Sequence, residues 1–178
     1  MPDRELLRQM DKEVLIDLLE DSAKNWLAHD GLWFQAVERN FGLDTAMRLD
    51  AEAWEQYTIV EARRIIRRHA IEPGGGLNAL AQALDLRMYA RINEQTIRWI
   101  DENTLRFEMN ECRVQEARKR KDLPDFPCKS VGLVEYAGFA ATIDERIRTR
   151  CLACPPDPHP DAYWCAWEFS LGEESITS

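Results

Sequence analysis

Apolar residues recur at helical intervals through the first half of the chain. Leu6, Met10, Leu15 and Leu18/Leu19 form a stripe that predicts a helix from about residue 3 to 20. From Ser22 to Phe41, Trp26, Trp33 and Val37 repeat at helical spacing, with Leu27, Phe34 and Phe41 as a neighbouring row. Gly42 is a natural stop and Asp44 a natural cap for the next helix. That helix runs to about His69, with Met47, Trp54, Tyr57 and Ile65 on one side, and Pro73-Gly74-Gly75-Gly76 breaks it. A shorter helix follows with Leu77, Leu80, Leu84 and Met88 on its apolar face.

The period then shortens to two. Ile97 and Trp99, then Leu105, Phe107 and Met109, alternate with polar residues around the turn Asp101-Glu102-Asn103, which predicts a β-hairpin. A short helix is expected over 113–121, a loop between Pro124 and Pro127, and a helix from Pro127 to about Ile143, since proline suits a first helical turn. Arg146–Cys154 and Tyr163–Leu171 form a last pair of strands. The sum is an α+β protein. A helical N-terminal lobe (1–93) packs with a four-stranded antiparallel sheet and its helices in a cysteine-containing lobe (94–172). The two are read as one integrated domain, followed by a polar tail (173–178).

Composition narrows the partners. With 45% hydrophobic and 31% charged residues, the 178-residue chain can build a sizeable core. A net charge of -9 and a pI of about 4.9 argue against nucleic acid and anionic membranes. The run Arg118-Lys119-Arg120-Lys121 is the local exception and reads as a solvated helix face. The N-terminus mixes charges with apolar residues, unlike a signal peptide, and no apolar run approaches the ~18 residues of a membrane span. A cytoplasmic location follows as the expectation. There the five cysteines stay reduced, which leaves free thiols, a metal site or thiol chemistry.

The cysteines fall at Cys112, Cys128, Cys151, Cys154 and Cys165. Cys112 ends a predicted strand, Cys128 starts a helix, and Cys151 and Cys165 lie on paired strands. If 151 pairs with 165, both face the same side as Ile147, Thr149, Trp167 and Phe169. A thioredoxin-like role for Cys151/Cys154 fits poorly, because Pro155-Pro156 prevents an ordinary helix from following. A knuckle at Cys151–Cys154 would suit Zn²⁺ or an iron–sulfur cluster, with Cys112, Cys128 or Cys165 completing the set. Against this, 151 and 154 face opposite sides of a regular strand, and buried cysteine also serves as a small hydrophobe. Cys128 is the candidate reactive thiol. It follows Pro127 in a helix's first turn, where free N–H groups and the adjacent Lys129 favour a thiolate.

Among polar residues, His29 and Asp30 fall at helical spacing from Trp26 and Trp33, so both are expected to face the core or a pocket. Glu61 sits similarly among Trp54, Tyr57 and Ile65. His159, in a proline-rich loop, is expected to be exposed, and His69 complements a helix C-terminus.

The segment from Met109 through NECRVQEARKRKDLPDFPCK to Ser130, then GFAATIDERIRTR and YWCAWEF, resembles the C-terminal half of the L-2-amino-thiazoline-4-carboxylate hydrolase-like family. Cys112, Cys128 and Cys165 match that family's three cysteine positions, Asp122-Leu123-Pro124 its turn and Gly138-Phe139 its Gly-Phe step. The whole chain, with HDGLWFQAVERNFG near its start, is similar to an uncharacterised family of prokaryotic cytosolic proteins related to that group. The resemblance implies an α+β domain with a cysteine-lined site and ring-opening hydrolysis of a small heterocycle. The chain departs from the group in having no aspartate shortly after Cys128, where the nearest acid is Glu135, and in the added Cys151/Cys154 pair. A more distant likeness is to vinyl-reductase-type sensor domains, which bind small hydrocarbons or metals.

Three functions compete at this point. In a small-molecule hydrolase, Cys128 would be nucleophile or metal-bound thiolate, His29 or Glu135 would handle protons, and Asp30, Trp33, Glu61 and Lys129 would bind substrate. In a non-enzymatic sensor, Cys112, Cys128, Cys151, Cys154 and Cys165 would supply the ligands of Zn or an Fe–S cluster. In the third, the thiols are structural, and six tryptophans together with a helical lobe fit a homodimer interface.

Overall fold

In the computed structural model, which describes residues 4–171, a short helix α1 (Glu5–Gln9) is followed by one continuous helix α2 (Lys12–Phe41). The break expected near Ser22 is absent, because Asp11 caps the helix by accepting from the Glu13 N–H and Ser22 turns its hydroxyl back to the Leu18 carbonyl. Gly42, at φ 84°, ends α2 and also caps α3 (Leu43–His69). Asp44 therefore lies in the first turn of α3 rather than at its cap. Beyond the break at Pro73–Gly76 lie α4 (Gly76–Asp85) and a 3-10 turn, Met88–Arg91.

The hairpin β1 (Glu94–Asp101) and β2 (Thr104–Glu111) closes through Asp101, whose carboxylate accepts from the Asn103 N–H. Then come α5 (Arg113–Lys119), α6 (Lys129–Ile143), β3 (Ile147–Ala153) and β4 (Cys165–Leu171). The sheet is antiparallel throughout, in the order β1-β2-β4-β3. The fold is α+β, as expected. The tail at 173–178 lies outside the described residues. Among the described residues, no helix is long and apolar enough to cross a membrane.

Period-two alternation gives the sheet two unlike faces. Leu105, Phe107, Met109, Trp167 and Phe169 are buried on one. On the other, Arg98 and Arg106 pair with Glu108, and Arg150 pairs with Glu168. Helix α6 lies on the apolar face and α3 lies on α6, which is why α6 (KSVGLVEYAGFAATI) is apolar nearly all round. Two glycines permit this stacking. A Cβ on Gly132 would stand 2.7 Å from the Trp167 ring, and one on Gly138 would stand 2.9 Å from Thr58 Cγ2. Thr58 also donates to the Glu135 carbonyl, tying α3 to α6 at 2.9 Å. One core thus takes Ala62 and Ile65 from α3, Leu80 and Leu84 from α4, Phe139 from α6, and the sheet face.

A buried ion-pair triad lies within this stack. Arg87, 3% exposed, donates from Nε to Glu61 Oε2 at 2.9 Å. Its Nη2 lies 2.6 Å from Glu135 Oε1, an ion pair at an angle that is not that of a hydrogen bond. The guanidinium packs over the Phe139 ring at 4.7 Å. Burial alone would discharge Arg87, but Glu135 and Glu61 hold it charged.

The first half of α2 leaves Val14, Leu18 and Leu19 exposed.

Two variants measure these contacts. Gly132→Ala gains about 1 kcal/mol of helix propensity but forces α6 off Trp167, for a net loss of about 1–2 kcal/mol in urea unfolding. Arg87→Met strands two buried carboxylates and lowers stability by about 3–5 kcal/mol in the same assay.

Candidate functional site

Between α2, α3, α5, α6 and the sheet lies a cavity of about 460 Å³. Its deep wall is aromatic, with Tyr136 stacked on Trp167 at 4.7 Å. Trp54 and Tyr89, stacked at 5.5 Å, close a second side. Trp54 and Tyr89 also belong to an aromatic cluster with Trp26 and Tyr57. Exposed Arg113, Arg120 and Lys121 border the cavity where it meets solvent, and Lys119, Arg120 and Lys121 of the basic run are all exposed.

Cys128 is delivered to the cavity by a loop that two side chains of α5 pin, and one of them, Arg118, donates from Nε to the Pro124 carbonyl at 2.7 Å. Buried Gln115 donates to the Phe126 carbonyl at 2.9 Å and accepts from the Phe126 N–H at 2.8 Å, while Phe126 packs edge-on against Phe34. Two residues later Cys128 caps α6, half-buried, with Gln115 Nε2 3.6 Å from its sulfur. Its Sγ lies 3.6 Å from that of Cys154. Hydrogen bonding from Cys154 lowers the Cys128 pKa, against the opposing effect of burial. The neighbouring sulfurs, Cys128 first and then Cys165, together with burial, hold Cys154 strongly protonated. Cys112 is pushed up to about 12 by burial.

Four of the five cysteines, Cys112, Cys128, Cys154 and Cys165, line the cavity. The fifth, Cys151, pairs with Trp167 rather than with Cys165, whose ladder partner is Met109. Strand parity was expected to separate 151 from 154. An irregularity between Cys151 and Ala153 shifts the register and brings Cys154 to the helix-covered side. Among the described residues, no three His, Cys, Asp or Glu side chains converge as ligands of one metal ion.

The polar candidates divide. Asp30 and Glu135 line the cavity, but His29 is exposed and outside it. The step of about 100° between neighbours turns His29 to the solvent edge of α2 while Asp30 faces inward. The inward row of α2 runs through Trp26, Asp30, Phe34 and Val37, which leaves Trp33 69% exposed. Glu61 is buried behind the cavity as the partner of Arg87, and Lys129 points away to pair with Asp157 at 2.5 Å. The cavity thus holds thiols and carboxylates, and among the described residues no histidine lines it.

Several residues not singled out from sequence shape the site. Arg87 carried no distinguishing signal, since Asp85 and Arg91 are charged neighbours in the same stretch. Trp167 is fully buried, lines the cavity, and its indole N–H has no hydrogen-bond partner. Asp50 lines it from α3. Its pKa is pushed up to about 7 by burial first, then by the charges of Asp30 and Glu135, with a Trp54 hydrogen bond opposing. Asp30 is raised by burial, with His29 opposing, and Glu135 is raised by burial against the pull of Arg87.

For Asp50 the folded chain keeps its proton to higher pH than the unfolded chain, so this group makes stability fall as pH rises from about 4 to 7. Asp50→Asn removes that fall. At pH 8 the variant's unfolding free energy in urea exceeds that of the native protein by on the order of 2 kcal/mol, and at pH 4 the two converge.

No curated protein matches the chain. Among solved structures, it resembles the phenol-responsive sensory domain of the transcription activator PoxR, crystallised with phenol. The identity is 15% and the TM-score 0.55, over 81% of this chain and 73% of that one, so the likeness is one of fold. By sequence, residues 8–171 match a family of unknown function, DUF6125, and the chain belongs to that family.

Proposed function

We propose that this protein is a binding domain for a small, ring-bearing molecule, which it encloses in the cavity between α6, α2, α3 and the sheet. The observation that carries the reading is the cavity itself. Its volume of about 460 Å³ falls within the range of about 300–1,000 Å³ usual for ligand pockets. Its inner walls are aromatic faces, which suit a flat ring. Trp167 adds an unpartnered buried N–H, a group that costs stability until an acceptor fills it. A hydroxyl, carbonyl or carboxylate on the ring would supply that acceptor. A neighbour of the same fold is described as phenol-responsive, which is consistent with this chemistry.

Binding is favoured over hydrolysis because Cys128 has another thiol, not an imidazole, as its hydrogen-bonding neighbour. Glu135 is held by Arg87 and His29 faces solvent.

Calorimetric titration with phenol and larger hydroxylated monocyclic aromatics tests the proposal. One saturable site per chain is expected for at least one of them. Gly31 lines the cavity, and a Cβ there meets no atom within 4 Å. Gly31→Trp therefore fills the space and abolishes binding while the fold persists. Trp167→Phe keeps an aromatic face but loses the donor, weakening binding by about tenfold. Equal affinity in native and Gly31→Trp proteins would show that the ligand binds elsewhere.

A further inference from the structure

The cavity wall contains two thiols placed to react with each other. Cys128 caps α6, and Cys154 follows the last residue of β3, so each sits at the end of a regular element. Their sulfurs are 3.6 Å apart. The segments that carry them are already tied. The Lys129 N–H donates to the Pro155 carbonyl at 2.9 Å, and the Lys129 ammonium pairs with Asp157 at 2.5 Å. The Asp157 N–H in turn donates to the Cys154 carbonyl. Closing a disulfide therefore requires a movement of about 1.5 Å at two element ends, to the ~2.05 Å of an S–S bond.

We propose that Cys128 and Cys154 are a peroxide-sensitive dithiol that closes into a disulfide across the cavity wall. Hydrogen peroxide is the oxidant. The Cys128 thiolate attacks one peroxide oxygen; an S–O bond forms, the O–O bond breaks, and hydroxide leaves, giving the sulfenic acid. Cys154 sulfur then attacks Cys128 sulfur. The S–S bond forms, the S–O bond breaks, and water leaves with the Cys154 proton. One peroxide is reduced to two waters as two thiols are oxidised.

Access and anchoring assign the roles. Cys128 is half-buried on the cavity and takes the oxidant first, whereas Cys154 is 1% exposed and resolves. Cys165 also lies beside Cys154, but the β2–β4 ladder fixes it opposite Met109. Because both reacting sulfurs line the cavity, the disulfide alters the wall that a ligand would touch. The cross-link itself needs no ligand, so it stands whether or not the binding reading holds.

The test uses the full chain without ligand, treated with hydrogen peroxide, then denatured and assayed for thiols. The expected count falls from five to three, the intact mass drops by two hydrogens, and dithiothreitol reverses both. Peptide mapping finds Cys128 joined to Cys154. Cys154→Ser stops at the sulfenic acid, which dimedone traps on Cys128, and Cys165→Ser still forms the cross-link. Retention of all five thiols overturns the proposal. A cross-link from Cys154 to Cys165 or Cys151 in the native chain overturns it as well.

Discussion

The buried Glu61–Arg87–Glu135 triad is the constraint around which the rest is arranged. One guanidinium joins α3, the segment after α4, and α6 at a point from which water is excluded. Removing any member leaves charge in a medium that solvates it poorly, so the three elements must meet in one geometry. Apolar packing of Leu80, Leu84 and Phe139 would hold them nearly as well. It would not fix their rotation so narrowly, because hydrophobic contact is non-directional. Glu135 is shared between the triad and the cavity, so the same pair that orients α6 sets the charge at the cavity's inner wall.

That orientation explains why a cavity survives beside a close-packed core. Gly132 lets α6 approach Trp167 at one end, and Gly138 lets it approach Thr58 on the opposite side. Helix α2, by contrast, buries only Ala23 and Val37. It contributes a row that touches the sheet-bound layers through large side chains, and the space left between Phe34, Trp54 and Trp167 is the cavity. Its contents are chemically mixed, with aromatic faces, thiols and carboxylates, because it forms where three differently patterned surfaces meet.

Much of the fold was legible because periodicity is a local property. The hairpin at Ile97–Met109, the helix after Pro127 and the final strand pair all follow from spacing and turn residues. Cys128 was legible for the same reason, since Pro127 marks a helix start. What escaped depends on contacts distant in sequence. Whether Trp26 is joined by Trp33 or by Phe34 on the inner row depends on where α3 and the sheet lie, and both rows look apolar in sequence. The position of Cys154 depended on a register irregularity that no residue pattern announces. Arg87 looked like any other basic residue until the two glutamates from other helices came into contact with it.

The Gln115 amide stands in for backbone pairing. By bonding both the N–H and the carbonyl of Phe126, it does for the loop what a neighbouring strand would do. The thiol two residues on is therefore positioned by a side chain of α5 and not by a backbone ladder. Helix α5 also carries Arg113 at the solvent border. The solvent border and the sulfur are thus both held by one short helix, the first through Arg113 and the second through the Gln115 and Arg118 side chains.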